Sequence, residues 1–313
     1  MLGITIGDPS GIGPEITLKS LVALAQRSSI RVVKNFIIIG NRALLTREYK
    51  KFIPRKIKFN FDELIIADAF EDFIFRYGRV QKECGIASIL ELNFATYLLK
   101  TKQISGLITA PVCKQALQLA GFPFAGQTEY FATEFGVKDY GMLIWTRPLK
   151  IILATIHLPL RDVSQYLTVE NIYQKILLLN NFLKTQEKLP YPRIGILAFN
   201  PHGFEFSRGE EAQILQAIKK ARRQKIRVEG PIPADSAFSF SKHQYDGYVA
   251  MYHDQALLAS KLLAKGVGVN LTVGLPFIRT APLHGVAFDI AGLGVAQIDC
   301  MLMAINLAKR LIS

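Results

Sequence analysis

Three of the five histidines in this chain each follow a short apolar run of strand length. His157 closes Ile151-Ile-Leu-Ala-Thr-Ile-His157, His202 follows Ile194–Phe199 by three residues, and His253 closes Tyr248-Val-Ala-Met-Tyr-His253. In an open α/β sheet, ligands bind beyond the carboxyl ends of the strands. Neutral imidazole is the commonest side chain for holding a divalent metal, and three protein ligands with an open fourth position is the catalytic arrangement. The three histidines are therefore candidate metal ligands. Their spacings are too long for a linear metal motif, so a shared site depends on the fold. A hydrogen-bonded structural role is the plainer alternative for each one alone.

Other polar residues suit chemistry around such a site. Asp254 follows His253, and Asp235 ends Gly230-Pro-Ile-Pro-Ala-Asp235. A carboxylate there can orient an imidazole or act as a general base, or it can simply cap a helix or turn. Lys261, Asn270 and Arg279 recur at even spacing. The pattern places Lys261 on the helix after His253, Asn270 in a strand run, and Arg279 just past Leu275-Pro-Phe-Ile278. A lysine and an arginine suit a substrate bearing phosphate or carboxylate. Asn270 in a strand needs partners for its amide, whereas Lys261 fits a solvated helix face equally well. Thr109-Ala-Pro-Val-Cys-Lys114 and Gly126-Gln-Thr-Glu129 read as polar-tipped turns, for which loop capping is an equal account. The first loop, Gly7-Asp-Pro-Ser-Gly-Ile-Gly-Pro-Glu15, joins a strand to a helix and reads either as an anion cradle or as a tight turn. It is not a dinucleotide fingerprint, because Ile16 stands at the third glycine position, and no Gly-Lys-Ser/Thr follows.

The elements that must carry these residues alternate strand and helix, which predicts an α/β fold with a mostly parallel sheet. Strand-like runs are Gly3–Ile6, Asn35–Ile39, Glu63–Ala67, Gly106–Thr109, Ile151–Ile156, Ile194–Phe199, Gly247–Tyr252 and Val267–Val273. Helical stretches begin at Pro14 and cover Ile86–Lys100, Val169–Leu183, Gly209–Ala221 and Ala256–Ala264. A chain of 313 residues suffices for two lobes. The expected division is 1–125 plus 285–313 against 126–284, with the crossing near Gly121–Gly126.

Half of the residues are hydrophobic and a fifth charged, as in a folded soluble protein. No apolar run approaches the roughly 20 residues of a membrane span, and no targeting segment opens the chain, so a cytoplasmic protein with no membrane partner is expected. Cys84, Cys113 and Cys300 form no CxxC pair, which fits a reducing compartment. The net charge of +13 raises the question of nucleic acid. Its clusters, Arg47–Lys58 and Lys219–Arg227, read as solvated segments between elements, without interleaved aromatics. No nucleic-acid partner is expected, although a basic field helps recruit an anionic substrate.

Taken in order, the segments just quoted, with His157-Leu-Pro-Leu-Arg161, Asn200-Pro-His202, Met251-Tyr-His-Asp-Gln255 and Gly274-Leu-Pro-Phe-Ile-Arg-Thr280, resemble the PdxA family of 4-hydroxythreonine-4-phosphate dehydrogenases. The resemblance runs from the first strand to the end of the chain. It implies an isocitrate/isopropylmalate-dehydrogenase-like fold, with two α/β/α lobes and an active-site cleft between them. It implies a homodimer whose active site lies at the subunit interface, with metal ligands from both subunits. The ligands would be His157, His202 and His253. Substrate contacts would be Gln127, Thr128, Lys261, Asn270 and Arg279. NAD or NADP would bind without a Rossmann loop. The divalent metal would be zinc, cobalt, manganese or magnesium, with imidazole ligands favouring the softer ions. Gln127 stands where the family has histidine, and Leu283 where it has aspartate.

The expected reaction is oxidation of 4-hydroxythreonine 4-phosphate and decarboxylation to 3-amino-2-oxopropyl phosphate in pyridoxal phosphate biosynthesis, with Asp235 and Asp254 as candidate bases. A related dehydrogenase of D-threonate or D-erythronate 4-phosphate, or a family member that has lost turnover, are the alternatives raised by Gln127 and Leu283.

Overall fold

The computed structural model describes residues 1–238 and 245–312. In chain order the elements are β1 (Leu2–Thr5), α1 (Gly13–Arg27), β2 (Phe36–Gly40), α2 (Arg42–Phe52), β3 (Ile65–Asp68), α3 (Lys82–Lys100), β4 (Gly106–Thr109), α4 (Lys114–Leu119), α5 (Gln127–Glu134), β5 (Gly141–Trp145) and β6 (Lys150–Leu153). There follow α6 (Val163–Tyr166), α7 (Val169–Thr185), β7 (Arg193–Leu197), α8 (Glu210–Arg223), β8 (Arg227–Ile232), α9 (Ala234–Ala237), β9 (Gly247–Ala250), α10 (His253–Leu263), β10 (Val269–Val273), β11 (Ile278–Pro282) and α11 (Asp299–Ile312). Among the described residues no helix is long and apolar enough to cross a membrane.

The chain divides into two compact units, 1–136 with 275–313, and 137–274. The sequence expectation put the crossings at 125/126 and 284/285. Segments 126–136 and 275–284 thus lie in the first unit, and with them Gln127, Thr128 and Arg279. The physical reason is aromatic packing. Phe131 on α5 meets Phe277 at 5.9 Å between ring centroids, and Tyr130 meets Phe122 at 5.6 Å. These rings join a buried cluster with Leu92, Leu98 and Leu117.

The first unit is built on a parallel sheet in the order β3-β2-β1-β4-β11. β1 and β4 are buried at every residue, which is what helices on both faces of a parallel sheet require of the sequence. The second unit has the order β10-β5-β6-β9-β7-β8, antiparallel from β10 to β6 and parallel from β6 to β8. Ile151, Ile152, Leu153, Ile194, Ile196, Tyr248 and Val249 form its buried core. The three strands before the three histidines, β6, β9 and β7, are therefore adjacent and parallel, and their carboxyl ends share one edge.

Candidate functional site

Each unit contributes a distinct cluster. In the second unit, His157 lies four residues past β6 and His253 opens α10 directly after β9. Adjacent strands about 4.8 Å apart bring their exits together. The two imidazoles sit 5.7 Å apart between centroids. They line a cavity of about 260 Å³ with Ile156, Leu158, Tyr252 and Asp254. Asp254 Oδ1 lies 2.7 Å from His253 Nδ1. A carboxylate there accepts the Nδ1 proton and leaves Nε2 with its lone pair, the form of imidazole that binds a metal. Gln255 ties the same edge together: its Oε1 accepts the Met251 N–H and its Nε2 donates to Ala198 O, both at 2.8 Å.

His202 follows the neighbouring strand but is carried elsewhere. It is exposed, it adopts a left-handed backbone with φ 55°, and its Nδ1 lies 3.1 Å from Glu205 Oε2. Its loop is ordered by Glu211, a buried residue of α8. Glu211 Oε1 accepts the N–H groups of Phe199 and Asn200 at 3.1 and 2.7 Å, and its Oε2 accepts Asn200 Nδ2 at 2.9 Å. Burial pushes this carboxyl up, but the hydrogen bonds from Ser207 and Asn200 outweigh it and hold it below the usual range. Among the described residues, no group of three or more His, Cys, Asp or Glu side chains is gathered to hold a metal. Two of the three expected nitrogen donors are side by side with their orienting carboxylate, so this part of the chain fits a divalent ion as a partial site.

The remaining candidates of the second unit are dispersed. Asp235 is exposed in the single turn of α9, and no side-chain hydrogen bond or ion pair engages it among the described residues. Lys261 is exposed in the last turn of α10. Asn270 pairs with Ile144 in the β10–β5 ladder, and its buried Oδ1 meets no hydrogen-bond partner among the described residues.

The cluster of the first unit centres on Arg279 in β11. Its side chain is 3% exposed, which for a guanidinium demands hydrogen-bond partners. Nη2 donates to Thr109 Oγ1 at 2.7 Å and to Gln127 Oε1 at 3.1 Å, and Nη1 donates to Thr128 Oγ1 at 3.2 Å. Gln127 Nε2 in turn donates to Ala110 O at 3.3 Å. Burial pulls the guanidinium down to about 10 and the Glu129 carboxylate holds it up, so it remains charged at neutral pH. Thr109 was legible only as part of a polar-tipped turn, with loop capping an equal account; what brings it to Arg279 is the parallel pairing of β4 with β11, which no local pattern encodes.

The first loop is a packing device and not an anion cradle. Its residues are buried from Gly7 to Glu15. Its amides are already engaged: Gly7 N–H by Glu91 Oε2, Asp8 N–H by Pro111 O, Ser10 N–H by Asp8 Oδ1, Gly11 N–H by Asp8 O and Ile12 N–H by Val286 O. A side chain at Gly13 would put its Cβ 2.1 Å from Ile6 O.

Comparison with known proteins joins the two clusters to one family. The family model described as "Pyridoxal phosphate biosynthetic protein PdxA" matches residues 31–308. The chain belongs to the PdxA family. A 4-hydroxythreonine-4-phosphate dehydrogenase from Sulfurihydrogenibium sp. (strain YO3AOP1) is 38% identical over 98% of this chain and 97% of its own. A relative from Oceanobacillus iheyensis, whose name gives D-threonate 4-phosphate as substrate, is 35% identical over 99% of this chain and 97% of its own. The crystal structure of the 4-hydroxythreonine-4-phosphate dehydrogenase from Klebsiella pneumoniae is 35% identical, covers 99% of this chain and 97% of its own, and superposes with a TM-score of 0.84. The fold is accordingly the isocitrate-dehydrogenase-like α/β fold of the PdxA dehydrogenases.

Proposed function

We propose that this chain is a metal-dependent, NAD- or NADP-linked dehydrogenase that oxidises 4-hydroxythreonine 4-phosphate and decarboxylates the product to 3-amino-2-oxopropyl phosphate, in pyridoxal phosphate biosynthesis. The observation that supports it is the pairing of His157 with His253, oriented by Asp254, in a chain similar to named dehydrogenases over nearly its whole length. Arg279 with Thr128 and Gln127 suits an anionic group such as the substrate's phosphate, and the histidine pair suits a metal that would bind the hydroxyl to be oxidised.

His157 and His253 would hold the metal, with His202 supplied by a second copy of the chain, because His202 does not join the other two within one chain. This makes the active unit a homodimer. A bound divalent ion lowers the pKa of a coordinated hydroxyl and steadies charge developing on a neighbouring oxygen, while the nicotinamide accepts the hydride. Asp254 is committed to orienting His253. Asp235, exposed and with no side-chain hydrogen bond or ion pair among the described residues, is then the better candidate to take the hydroxyl proton. Lys261 and the Asn270 amide are the remaining substrate contacts. Imidazole ligands favour zinc, cobalt or manganese over magnesium. A cytoplasmic enzyme is the matching location, given its soluble cofactor and substrate.

The test is nicotinamide reduction by the purified protein with 4-hydroxythreonine 4-phosphate, with and without divalent metal. Metal-dependent turnover that chelation abolishes is expected, and its absence with bound metal sinks the reading. The relative from Oceanobacillus iheyensis keeps a second reading, oxidation of D-threonate 4-phosphate, which the same assay decides by comparing kcat/KM for the two substrates.

A further inference from the structure

The ladder between β7 and β9 pairs Ile194 with Gly247, Gly195 with Tyr248 and Ile196 with Val249. In that register Ala198 faces Met251, each two residues past the last pair. There a side chain joins the two backbones. Gln255 Oε1 accepts the Met251 N–H and its Nε2 donates to Ala198 O, both at 2.8 Å. Met251 and Ala198 are buried, where an unmet amide or carbonyl is costly. The glutamine amide thus spans the position of a backbone rung. The other side of β9 needs no such insertion. Ala154 N–H donates to Ala250 O at 2.8 Å and Thr155 N–H to Met251 O at 3.2 Å, and Thr155 Oγ1 donates to the same oxygen at 2.7 Å. β6 and β9 therefore stay directly bonded up to the His157–His253 pair, whereas β7 and β9 are bridged by Gln255 four residues before His202.

Gln255 lies in the first turn of α10, and a glutamine there commonly reaches back to a backbone N–H. That role requires only an acceptor. The bond to Ala198 O requires a donor on the same side chain. A neutral amide supplies both, a carboxylate only the first.

We propose that Gln255 is a positioning residue for the metal ligands: its amide is the spacer that fixes the exit of β7 against that of β9, and so sets where the loop 199–206 carries His202 while His253 stays beside His157. The proposal deepens the reading above and rests on it in taking His202 and His253 as ligands.

Gln255→Glu separates the two roles. A carboxylate still accepts the Met251 N–H, and its charge is favourable at a helix N-terminus, so a helix-starting role alone predicts parent-like behaviour. It cannot donate to Ala198 O, so the spacer fails. Gln255→Met removes both bonds without adding charge. Two readouts are taken on the full chain. The first is amide hydrogen exchange without metal. The Phe199 and Asn200 amides bond to Glu211 and the Gly203 amide to Asn200 O, none of them to Gln255. Their exchange is expected to quicken about 10-fold or more in both variants, with β6 and α7 exchanging as in the parent. The second is Co²⁺ affinity, by competition with a chromophoric chelator, with His253→Ala as the reference for a site short of one ligand. Affinity is expected to fall about 10-fold or more in both variants. An added carboxylate by itself tightens binding of a cation, so a loss in Gln255→Glu has the opposite sign to the charge effect.

Parent-like exchange of 199–206 in Gln255→Glu overturns the proposal whatever the metal does, because the bond to Ala198 is then dispensable. Quickened exchange with parent-like Co²⁺ affinity overturns it too, since the spacer then holds a loop and not the ligands. If Gln255→Met fails to fold, Gln255→Glu decides. A parent that binds Co²⁺ no better than His253→Ala removes the metal reading above, and the exchange alone then decides the spacer.

Discussion

The 2.7 Å contact between Asp254 and His253 assigns the two nitrogens of one imidazole to different tasks. Nδ1–H is fixed by the carboxylate, and Nε2 keeps its lone pair for the metal proposed above. Asp254→Ala removes that constraint while changing an exposed side chain, so stability should move by no more than about 0.5 kcal/mol. Metal affinity should fall about 10–100-fold, as for other outer-shell carboxylates, in competition with a chromophoric chelator. An unchanged affinity would leave Asp254 free to be the base and return Asp235 to doubt. Arg279→Lys makes the complementary test on the other cluster. A lysine cannot span three acceptors in a planar fork, so KM for the phosphorylated substrate should rise by about 10–100-fold, with kcat less affected.

At the scale of elements, the loop after β7, which carries the candidate ligand His202, shows how a helix orders a segment it does not contain. Glu211 on α8 satisfies the Phe199 and Asn200 amides that would otherwise be orphaned at the strand end. Glu211→Ala should cost about 1–3 kcal/mol for the stranded donors, read as a lowered urea midpoint at pH 7.5. Because the native carboxyl is held below its ordinary range, its stabilisation is present above the unfolded pKa, about 4.3, and is lost as pH falls through the native one. The gap between parent and variant should therefore narrow towards pH 4.

The elements legible in the sequence were the ones with long apolar runs. β4 matches its expected span at both ends, and β6, β7 and β9 fall within theirs or begin one residue earlier. β8, Arg-Val-Glu-Gly-Pro-Ile, escaped because it alternates polar residues and holds a proline, which an edge strand tolerates. α2 escaped because Arg47, Lys50 and Lys51 read as a solvated linker. They are the outer face of a helix that Asn41 caps by accepting the Leu44 N–H at 2.9 Å. The second basic cluster likewise spans the end of α8 and the start of β8. Of the site, the histidine pair was visible from strand-end position alone. The Arg279–Thr109 contact was not, since it spans 170 residues and depends on which strands pair. Nor could the left-handed backbone of His202 be read from the residues around it.

The whole molecule carries a pH dependence of the opposite sign to Glu211. Asp8, Glu48 and Glu91 all have carboxyls that burial pushes above the ordinary range, against hydrogen bonds that only partly offset it. Glu91 is the extreme case. It is 1% exposed on α3, its Oε2 accepts the Gly7 N–H at 2.8 Å, its Oε1 has no hydrogen-bond partner among the described residues, and Asp8 raises it further. The unfolded chain releases such protons near pH 4, whereas the native protein holds them longer. Between the two values unfolding releases protons, so the contribution to stability is complete below the unfolded pKa and is lost as pH rises through the native one. Glu91→Gln keeps an oxygen for the Gly7 amide and has no proton to lose. Its melting temperature relative to the parent should therefore climb as pH goes from 5 to 8, measured at fixed protein concentration. A difference that stays flat across that range would mean that Glu91 does not hold its proton beyond the unfolded value in the native protein. A difference that climbs means that the loop between β1 and α1 rests on a neutral acid, whose oxygen holds the Gly7 amide without a buried charge.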